Sequence, residues 1–335
     1  MPWRSCLLVC AIISCANSAL IGQEAEVSAR RAGILARMQQ VMGDLPSAKD
    51  KLPLDVQILE EVRTPRYVRK KLTYQAEKGD RVPAYLLIPT ARMPEKRFPA
   101  MLCLHQTVNI GKGEPVGLGG KPNLRYAEEL AERGYVTLAP DYPSFGDYVY
   151  DFAKSPHASG SIKAVWNNMR AVDLLQALPE VDGKRIGCIG HSLGGHNSLF
   201  SAAFDARLQA AVTSCGFTSF AKYFQGNLKG WTSPRYMPRI ATVYDMKPER
   251  MPFDFTDVLE AIAPRAIFVS APLHDGNFDV SGVQDVARAV EPYFREARAK
   301  HLPQFVYPDC AHDFPPAIRA QAYGWLDDVL ENSAK

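Results

Sequence analysis

Short apolar runs and helical stretches alternate from residue 100 onward. The apolar runs are the segments 100–104, 135–139, 185–189, 208–213, 265–270 and 303–307. The stretches between them have the spacing of amphipathic helices and lie near 121–133, 160–178, 193–204, 280–298 and 315–331. Continuously apolar strands that alternate with helices predict an α/β fold, in which helices flank both faces of a mostly parallel central sheet.

The pattern before the first of these runs is different. Residues 24–43 carry apolar positions at helical spacing and end in a glycine, which predicts an amphipathic helix with a glycine C-cap. Residues 55–88 alternate and are rich in β-branched and aromatic side chains, and Gly79-Asp80 predicts a turn between two strands. We therefore expect antiparallel N-terminal strands, the last of them at 84–89.

One segment, residues 217–255, interrupts the alternation. It holds nine aromatic side chains, and its four prolines exclude a long helix. An aromatic segment between two strands of the sheet predicts a cap insertion over a pocket at the strand ends, with ordinary packing of a long insertion as the alternative. Trp231 and Tyr236 have flat rings that stack on a sugar or an aryl group, and we expect them to bind substrate.

The composition is that of a soluble globular protein. Of the 335 residues, 47% are hydrophobic and 22% are charged, and the formal net charge is +3. These values exclude a disordered or collagen-like chain. A nearly neutral chain without a long basic run is not expected to bind nucleic acid. Because no Gly/Ser linker divides the chain, residues 20–335 are expected to form a single domain.

The first nineteen residues have a composition of their own. Arg4 is followed by the apolar run 6–16 and then by small residues, which is the pattern of a secretory signal peptide over residues 1–19. We therefore expect a secreted or periplasmic protein. The segment 12–15 also resembles a bacterial lipobox, and a lipid anchor on Cys15 is the alternative. Later apolar runs are too short to predict a transmembrane span.

Four cysteines follow this leader. Cys103 and Cys188 lie in apolar runs and are expected to be small buried side chains. Cys215 and Cys310 could form a disulfide in an oxidising compartment, and the sequence leaves that open. Their spacings do not fit a zinc motif, and the sequence predicts neither a metal nor a cofactor.

A motif with chemical meaning follows the apolar run 185–189. It reads Gly190-His191-Ser192-Leu193-Gly194-Gly195 and stands between an expected strand and an expected helix. This is the G-x-S-x-G pattern of a nucleophile elbow, in which small residues allow a tight, strained turn that exposes the serine hydroxyl above the sheet. Ser192 is therefore the candidate nucleophile.

A serine nucleophile needs a general base, and the base needs an orienting carboxylate. His312 follows the last expected strand, and Asp275 follows the strand before it. Asp279 is the alternative to Asp275, although it stands near an expected helix start and would serve there as an N-cap. The order Ser192, Asp275, His312 is that of an α/β-hydrolase triad.

The expected oxyanion hole uses two main-chain N–H groups. Leu193, directly after the nucleophile, supplies one of them. The other is expected in the loop after the run 100–104, which reads Leu104-His105-Gln106-Thr107. The N–H of Thr107 is the first choice in this loop, and that of Gln106 is the second.

The glycine-rich segment 111–121 does not fit a phosphate-binding loop. The G-x-x-x-x-G-K-[ST] frame meets Pro115 where glycine is needed and Pro122 where serine or threonine is needed. We expect this segment to be a mobile loop near the mouth of the site. Asp141 and Asp147 are expected to belong to turns, with substrate binding as the alternative.

These segments together resemble the α/β-hydrolase superfamily, and within it the dienelactone-hydrolase and prolyl-oligopeptidase-like esterases of bacterial secretomes. The resemblance covers about residues 80–331. It rests on Leu104-His105-Gln106-Thr107, the segment 134–142, the elbow around Ser192, Asp275 and His312-Asp313-Phe314. A dienelactone hydrolase proper resembles one with a cysteine nucleophile, whereas this chain has a serine.

The function that follows is a secreted serine hydrolase that cleaves carboxylic esters through an acyl-enzyme, without a cofactor. Its expected substrates are small-molecule or carbohydrate-linked esters. Two alternatives stay open. A secreted serine peptidase of the oligopeptidase-like type would use the same triad, and a non-catalytic binding protein on this fold would be expected to have lost a triad member.

Overall fold

A nine-stranded sheet runs through the described part of the chain. The computed structural model describes residue 23, residues 25–90 and residues 97–331. The expected signal peptide and Cys15 lie outside these residues. The strands are β1 (Gln57–Arg63), β2 (Tyr67–Glu77), β3 (Asp80–Pro89), β4 (Phe98–Leu104), β5 (Val136–Pro140), β6 (Val181–His191), β7 (Leu208–Ser214), β8 (Ala266–Ser270) and β9 (Gln304–Val306).

The strand order is β1-β2-β3-β5-β4-β6-β7-β8-β9. The first three strands pair antiparallel with one another, and β3 also pairs antiparallel with β5. The other strands run parallel to their neighbours. Each of the six expected apolar runs is one of these parallel strands. The hairpin of β2 and β3 turns at Lys78-Gly79, so Asp80 already begins β3.

Helices connect the strands. They are α1 (25–42), α2 (Tyr126–Glu132), α3 (Gly160–Ala177), α4 (Leu193–Phe204), α5 (Arg239–Thr242), α6 (Phe255–Ile262), α7 (Val280–Glu296) and α8 (Pro316–Glu331). The expected helices are present, although α2 is shorter than expected because a 3₁₀ turn occupies Pro122–Leu124. Gly43 follows α1 with a φ of 98°, which glycine adopts without a steric cost. The helices in the described ranges are too short or too polar to cross a membrane.

The sheet separates two apolar cores. Successive side chains of a strand point to opposite faces. In β4, Leu102 and Leu104 therefore pack on the side of α1, α3, α4, α6 and α7, while Met101 and Cys103 pack on the side of α2 and α8. Every residue of β4 and β5 is buried. Such strands must be apolar throughout, and this explains why they read as continuous apolar runs.

The long connection between β7 and β8 contains the expected insertion. It is built from 3₁₀ turns, the short α5, and α6. Most of its aromatic side chains point inward. The buried ones are Phe217, Phe220, Trp231, Phe253 and Phe255. Their burial explains most of the aromatic density of the segment as packing.

The four cysteines of the described residues are free thiols. Cys103 and Cys188 are buried as expected, and Cys215 and Cys310 form no disulfide.

The first half of the glycine-rich segment 111–121 is buried and is not a surface loop. The side chain of Lys112 is 3% exposed and lies 2.6 Å from Asp141. Because a buried ammonium group requires a partner, this ion pair holds the segment inside the molecule.

Candidate active site

The turn between β6 and α4 has the strained geometry of a nucleophile elbow. Ser192 adopts φ 54° and ψ −117°, a combination that side chains with a Cβ rarely adopt. A Cβ on Gly190 would collide with the carbonyl group of Gly194, and a Cβ on Gly194 would collide with that of Leu104. The N–H of Ser192 donates to the carbonyl oxygen of Ser214 at 2.8 Å. The glycines thus permit the turn, and β7 holds it.

A cavity of 170 Å³ opens beside Ser192. Its walls come from four parts of the chain. They are Ser192, Leu193 and His196 from the elbow and α4, Tyr223, Gly230, Trp231 and Tyr236 from the insertion, Asn277 and Phe278 from the loop after β8, and Thr107 from the loop after β4. The insertion therefore supplies part of the cavity wall beside the serine.

His312 is held by a carboxylate. Its Nδ1 lies 2.9 Å from both carboxylate oxygens of Asp275, whose side chain is only 1% exposed. The N–H groups of Asn277 and Phe278 also donate to Asp275 Oδ1, at 2.8 and 3.2 Å. Burial alone would raise the pKa of Asp275, but the hydrogen bond and charge of His312 and these N–H groups more than offset it, and the pKa lies below its ordinary value. Asp275 is therefore ionised at neutral pH.

Asp279, the alternative carboxylate, has another task. It is the N-cap of α7 and accepts a hydrogen bond from the N–H of Ser281 at 2.8 Å. This is the helix-capping role that the sequence offered for it. The structure therefore brings Asp275, and not Asp279, to His312.

The ring of His312 lies beside the elbow. Its centroid is 4.8 Å from that of His191, the residue before Ser192, and 6.1 Å from that of Phe278 on the cavity wall. The hydrogen bonds of the described residues do not include one between the Ser192 hydroxyl and His312. Catalytic hydrogen bonds in ligand-free sites are often long and tighten when substrate binds. Ser192, Asp275 and His312 therefore lie close together, beyond the carboxyl ends of β6, β8 and β9.

The loop after β4 is fixed by a buried histidine. His105 Nε2 accepts a hydrogen bond from the N–H of Tyr142 at 2.9 Å. The proton of the neutral ring therefore resides on Nδ1, which donates to the carbonyl oxygen of Gln106 at 2.6 Å. Burial lowers the pKa of His105 and keeps the ring neutral. These two hydrogen bonds of His105 hold the main chain of the loop directly before Thr107.

Two of the three expected oxyanion donors line the same cavity as Ser192. Thr107 and Leu193 both line the cavity with Ser192. The hydroxyl of Thr107 is 3.1 Å from that of Tyr236, which joins this loop to the insertion. The side-chain amide of Gln106 instead donates to Glu114 at 3.0 Å.

The cavity also has residues that the sequence did not identify. His196 lies 4.7 Å from the ring of Trp231, and burial lowers its pKa to about 3, so it is a neutral aromatic wall. Asn277 and Phe278 stand two and three residues after Asp275, and Tyr223 belongs to the aromatic insertion. Proximity to Asp275 along the chain was the available signal for Asn277 and Phe278, and the aromatic insertion was the signal for Tyr223.

The sheet order, the elbow after β6 and the His312–Asp275 pair define an α/β-hydrolase. Within that class, the model of the prolyl oligopeptidase family matches residues 124–333. The chain belongs to this family. The resemblance expected from the sequence is thereby confirmed.

Two curated proteins show how far the similarity extends. YtaP of Bacillus subtilis is 24% identical over 303 residues, which cover 87% of this chain and 97% of that protein. The 2,6-dihydropseudooxynicotine hydrolase of Paenarthrobacter nicotinovorans is 29% identical over 205 residues, which cover 60% of this chain and 52% of that protein. The chain thus spans nearly all of the first relative and about half of the second.

Solved structures share the fold at lower identity. A glucuronoyl esterase from Solibacter usitatus has a TM-score of 0.69 and 17% identity, with 89% of this chain and 91% of that chain covered. An acetyl xylan esterase from Paenibacillus sp. R4 has a TM-score of 0.60 and 18% identity, with 88% and 99% covered. At these identities the likeness concerns the architecture.

Proposed function

We propose that this protein is a serine hydrolase that cleaves carboxylic esters through Ser192, His312 and Asp275. The observation that carries the proposal is the serine itself. Ser192 stands at positive φ on the wall of a cavity, and a histidine bonded to a buried carboxylate lies beside the same turn. Family membership and the esterases among the structures of similar fold support the same reaction class.

The geometry suggests the role of each group. The Ser192 hydroxyl attacks the ester carbonyl carbon, and its proton passes to His312. Because Nδ1 of His312 is engaged by Asp275, the receiving atom is Nε2, and the imidazolium that forms is stabilised by the carboxylate. His312 then protonates the leaving alcohol. In the second half, water gives a proton to Nε2 as its oxygen attacks the acyl carbon. Nε2 then returns that proton to the oxygen of Ser192 as the bond to the acyl group breaks and the acid leaves.

The oxyanion of each tetrahedral intermediate needs fixed donors. We assign the main-chain N–H groups of Leu193 and Thr107 to this role, with Gln106 as the second choice for the latter. Leu193 and Thr107 share the cavity with Ser192. Donors that are already in place require no reorganisation during the reaction, and each is worth about 10²–10³ in rate.

The size of the cavity favours small acyl groups. Its volume is 170 Å³, whereas pockets for drug-sized ligands measure about 300–1,000 Å³. We expect acetyl to butyryl esters to be cleaved with a higher kcat/KM than octanoyl esters. A p-nitrophenyl ester series measures this profile.

The same series beside Ser192→Ala tests the function. Loss of the nucleophile should lower kcat by about 10⁴–10⁶. Circular dichroism and the melting temperature show whether the variant remains folded. If wild type and Ser192→Ala hydrolyse the esters equally, or both are inert, Ser192 is not the nucleophile of an esterase.

Trp231 and Tyr236 are proposed to contact the substrate. Trp231 packs against His196 and Phe278 on the cavity wall, and Tyr236 closes the side toward Thr107. We expect Trp231→Ala to enlarge the cavity and to shift the preference toward longer acyl groups. We expect Tyr236→Phe, which keeps the ring, to leave that preference unchanged. An identical chain-length profile for wild type and the double variant Trp231→Ala/Tyr236→Ala would remove both residues from the substrate site.

A peptidase is the second candidate, because the family takes its name from an oligopeptidase. The same serine and histidine would attack an amide. Matched ester and anilide substrates with the same acyl group separate the two activities. A kcat/KM for the anilide equal to or above that for the ester would favour the peptidase.

We also propose that residues 1–19 are a secretory signal and that residues 20–335 form one hydrolase domain with a cap insertion at about 217–255. Strands from both sides of the insertion share one sheet, which supports a single domain. N-terminal sequencing of the exported protein tests the signal. A first residue near 20 supports secretion or release to the periplasm, and a lipid-modified first residue Cys15 supports the anchored alternative.

A further inference from the structure

Three side chains that bind soft metals meet directly behind the proposed nucleophile. His191, Cys215 and His312 each offer a nitrogen or sulfur atom, and these atoms all lie within 4.8 Å of one another. The three residues come from the end of β6, the position directly after β7 and the loop after β9. Because these three residues are far apart in the sequence, they form no motif of fixed spacing that would predict a metal site.

Each of the two imidazoles has one nitrogen occupied and one available. His312 uses Nδ1 for Asp275, which leaves Nε2. His191 uses Nδ1 for the hydroxyl of Ser214 at 3.0 Å. Its Nε2 is buried and has no hydrogen-bond partner among the described residues. A second nitrogen fixed by a carboxylate or another polar group is the arrangement that orients metal-binding histidines.

The hydroxyl of Ser214 lies between two members of this cluster. It is 3.0 Å from Nδ1 of His191 and 3.8 Å from the sulfur of Cys215. When the hydroxyl donates toward the sulfur, its oxygen accepts from His191 Nδ1–H, and a lone pair remains on Nε2 of His191. An unpaired acceptor in a buried position is costly, and a bound cation would satisfy it.

We propose that His191, Cys215 and His312 form an inhibitory site for a zinc ion. Two nitrogens and one sulfur are a ligand set that zinc favours, with Zn–N distances of about 2.0–2.1 Å and a Zn–S distance of about 2.3 Å. Ligand atoms on one tetrahedral ion are about 3.2–3.6 Å apart, so atoms that lie up to 4.8 Å apart here need to close by about 1.2–1.6 Å. Binding displaces the proton of the Cys215 thiol, as zinc does at cysteine ligands.

The consequence for catalysis concerns a single atom. The ion would bind Nε2 of His312, which is the atom that must accept the proton of Ser192. Zinc and the proton then compete for the same lone pair, and the bound enzyme is inactive. The inhibition rests on the proposed function, whereas the metal site itself does not.

A zinc titration tests the inhibition. Chelator-treated wild type, Cys215→Ser and Cys310→Ser are assayed with p-nitrophenyl acetate against increasing ZnCl₂, and each rate is compared with the same variant's zinc-free rate. We expect reversible inhibition of the wild type that EDTA abolishes. Cys215→Ser should need at least tenfold more zinc, and Cys310→Ser should follow the wild type.

Metal binding is measured independently of turnover. Wild type and Cys310→Ser should retain one zinc per chain after gel filtration, and Co²⁺ should give the near-ultraviolet charge-transfer band of a cobalt–thiolate bond. Cys215→Ser should lose both signals. Equal binding by wild type and Cys215→Ser, or no retained zinc in the wild type, overturns the site. If no ester is cleaved, the cobalt spectrum still decides the site, so failure of the site and failure of the esterase are distinguishable.

Discussion

At the scale of single residues, the site depends on how one carboxylate is held. Asp275 has no freedom to rotate away from His312, because two main-chain N–H groups bind the same carboxylate. It thereby fixes the proton of His312 on Nδ1 and leaves Nε2 as the base. An amide in its place would keep the shape but could donate to Nδ1, and the histidine would then present the wrong tautomer.

We therefore expect Asp275→Asn to lower kcat by about 10⁴ with little change in stability. Asp279→Asn is the matched control. Asp279 lies four residues away and caps α7, and asparagine caps helices about as well as aspartate. Its kcat should stay near that of the wild type. Steady-state kinetics of both variants decide the assignment, and a larger loss in Asp279→Asn would reverse it.

The positions of these residues in the fold could be predicted from the sequence with unequal precision. Ser192 was predictable because the elbow requires glycines at set positions, and His312 because the topology puts a base after the last strand. Asp275 and Asp279 both followed β8, and only the fold showed which one turns toward His312. The cluster at His191 and Cys215 was not predictable, because its distances depend on strand register.

At the scale of elements, the strand–turn–helix unit tolerates no side chain at two of its glycines. We expect Gly194→Ala to destabilise the protein by at least about 2 kcal/mol, because its Cβ would meet the main-chain carbonyl of Leu104 rather than a flexible side chain. Gly324→Ala in α8 is the matched control, because its Cβ has no other atom within 4 Å. That substitution should stabilise by about 0.5–1 kcal/mol. Thermal unfolding measures both, and equal melting temperatures would contradict the close contact at the elbow.

Some elements of the fold could be predicted from the sequence, and others could not. The helices α3 and α4 were predictable nearly to the residue, because apolar spacing and flanking turns agree. The internal structure of the insertion was not, since its 3₁₀ turns have no periodicity and its shape follows from packing on α4 and α6. The glycine-rich segment was misread as a mobile loop because the partner that buries Lys112, Asp141, lies 29 residues away.

At the scale of the whole molecule, a buried ionic network joins the antiparallel strands to the first helix after β5. The ammonium group of Lys163 is fully buried in α3 and lies 3.0 Å from Glu77 and 2.6 Å from Asp80. His157 Nε2 lies 2.7 Å from the other oxygen of Glu77. Charged groups persist in such places only when they are paired, so the hairpin β2–β3 and α3 depend on each other.

This network makes the stability depend on pH in a definite direction. Burial alone would raise the pKa of Glu77, but the hydrogen bonds and charges of His157 and Lys163 lower it from 4.5 to about 2. A carboxyl with a lowered folded-state pKa stabilises the fold above its ordinary pKa. That contribution is lost as the pH falls from about 4.5 to about 2, through the folded-state value.

Glu77→Gln should therefore lower the free energy of unfolding by about 2–3 kcal/mol at pH 7, because Lys163 loses one of its two charge partners and keeps Asp80. The difference from the wild type should shrink below pH 4.5, where Glu77 of the wild type also becomes neutral. Urea unfolding from pH 7 to the lowest pH at which the wild type folds measures this. Glu61→Gln is the control, since Glu61 is 44% exposed in its ion pair with Lys70 and should change stability by less than about 1 kcal/mol. A difference between Glu77→Gln and wild type that stays constant with pH would mean that the changed hydrogen bonding of the amide, and not the lost charge, destabilises the fold.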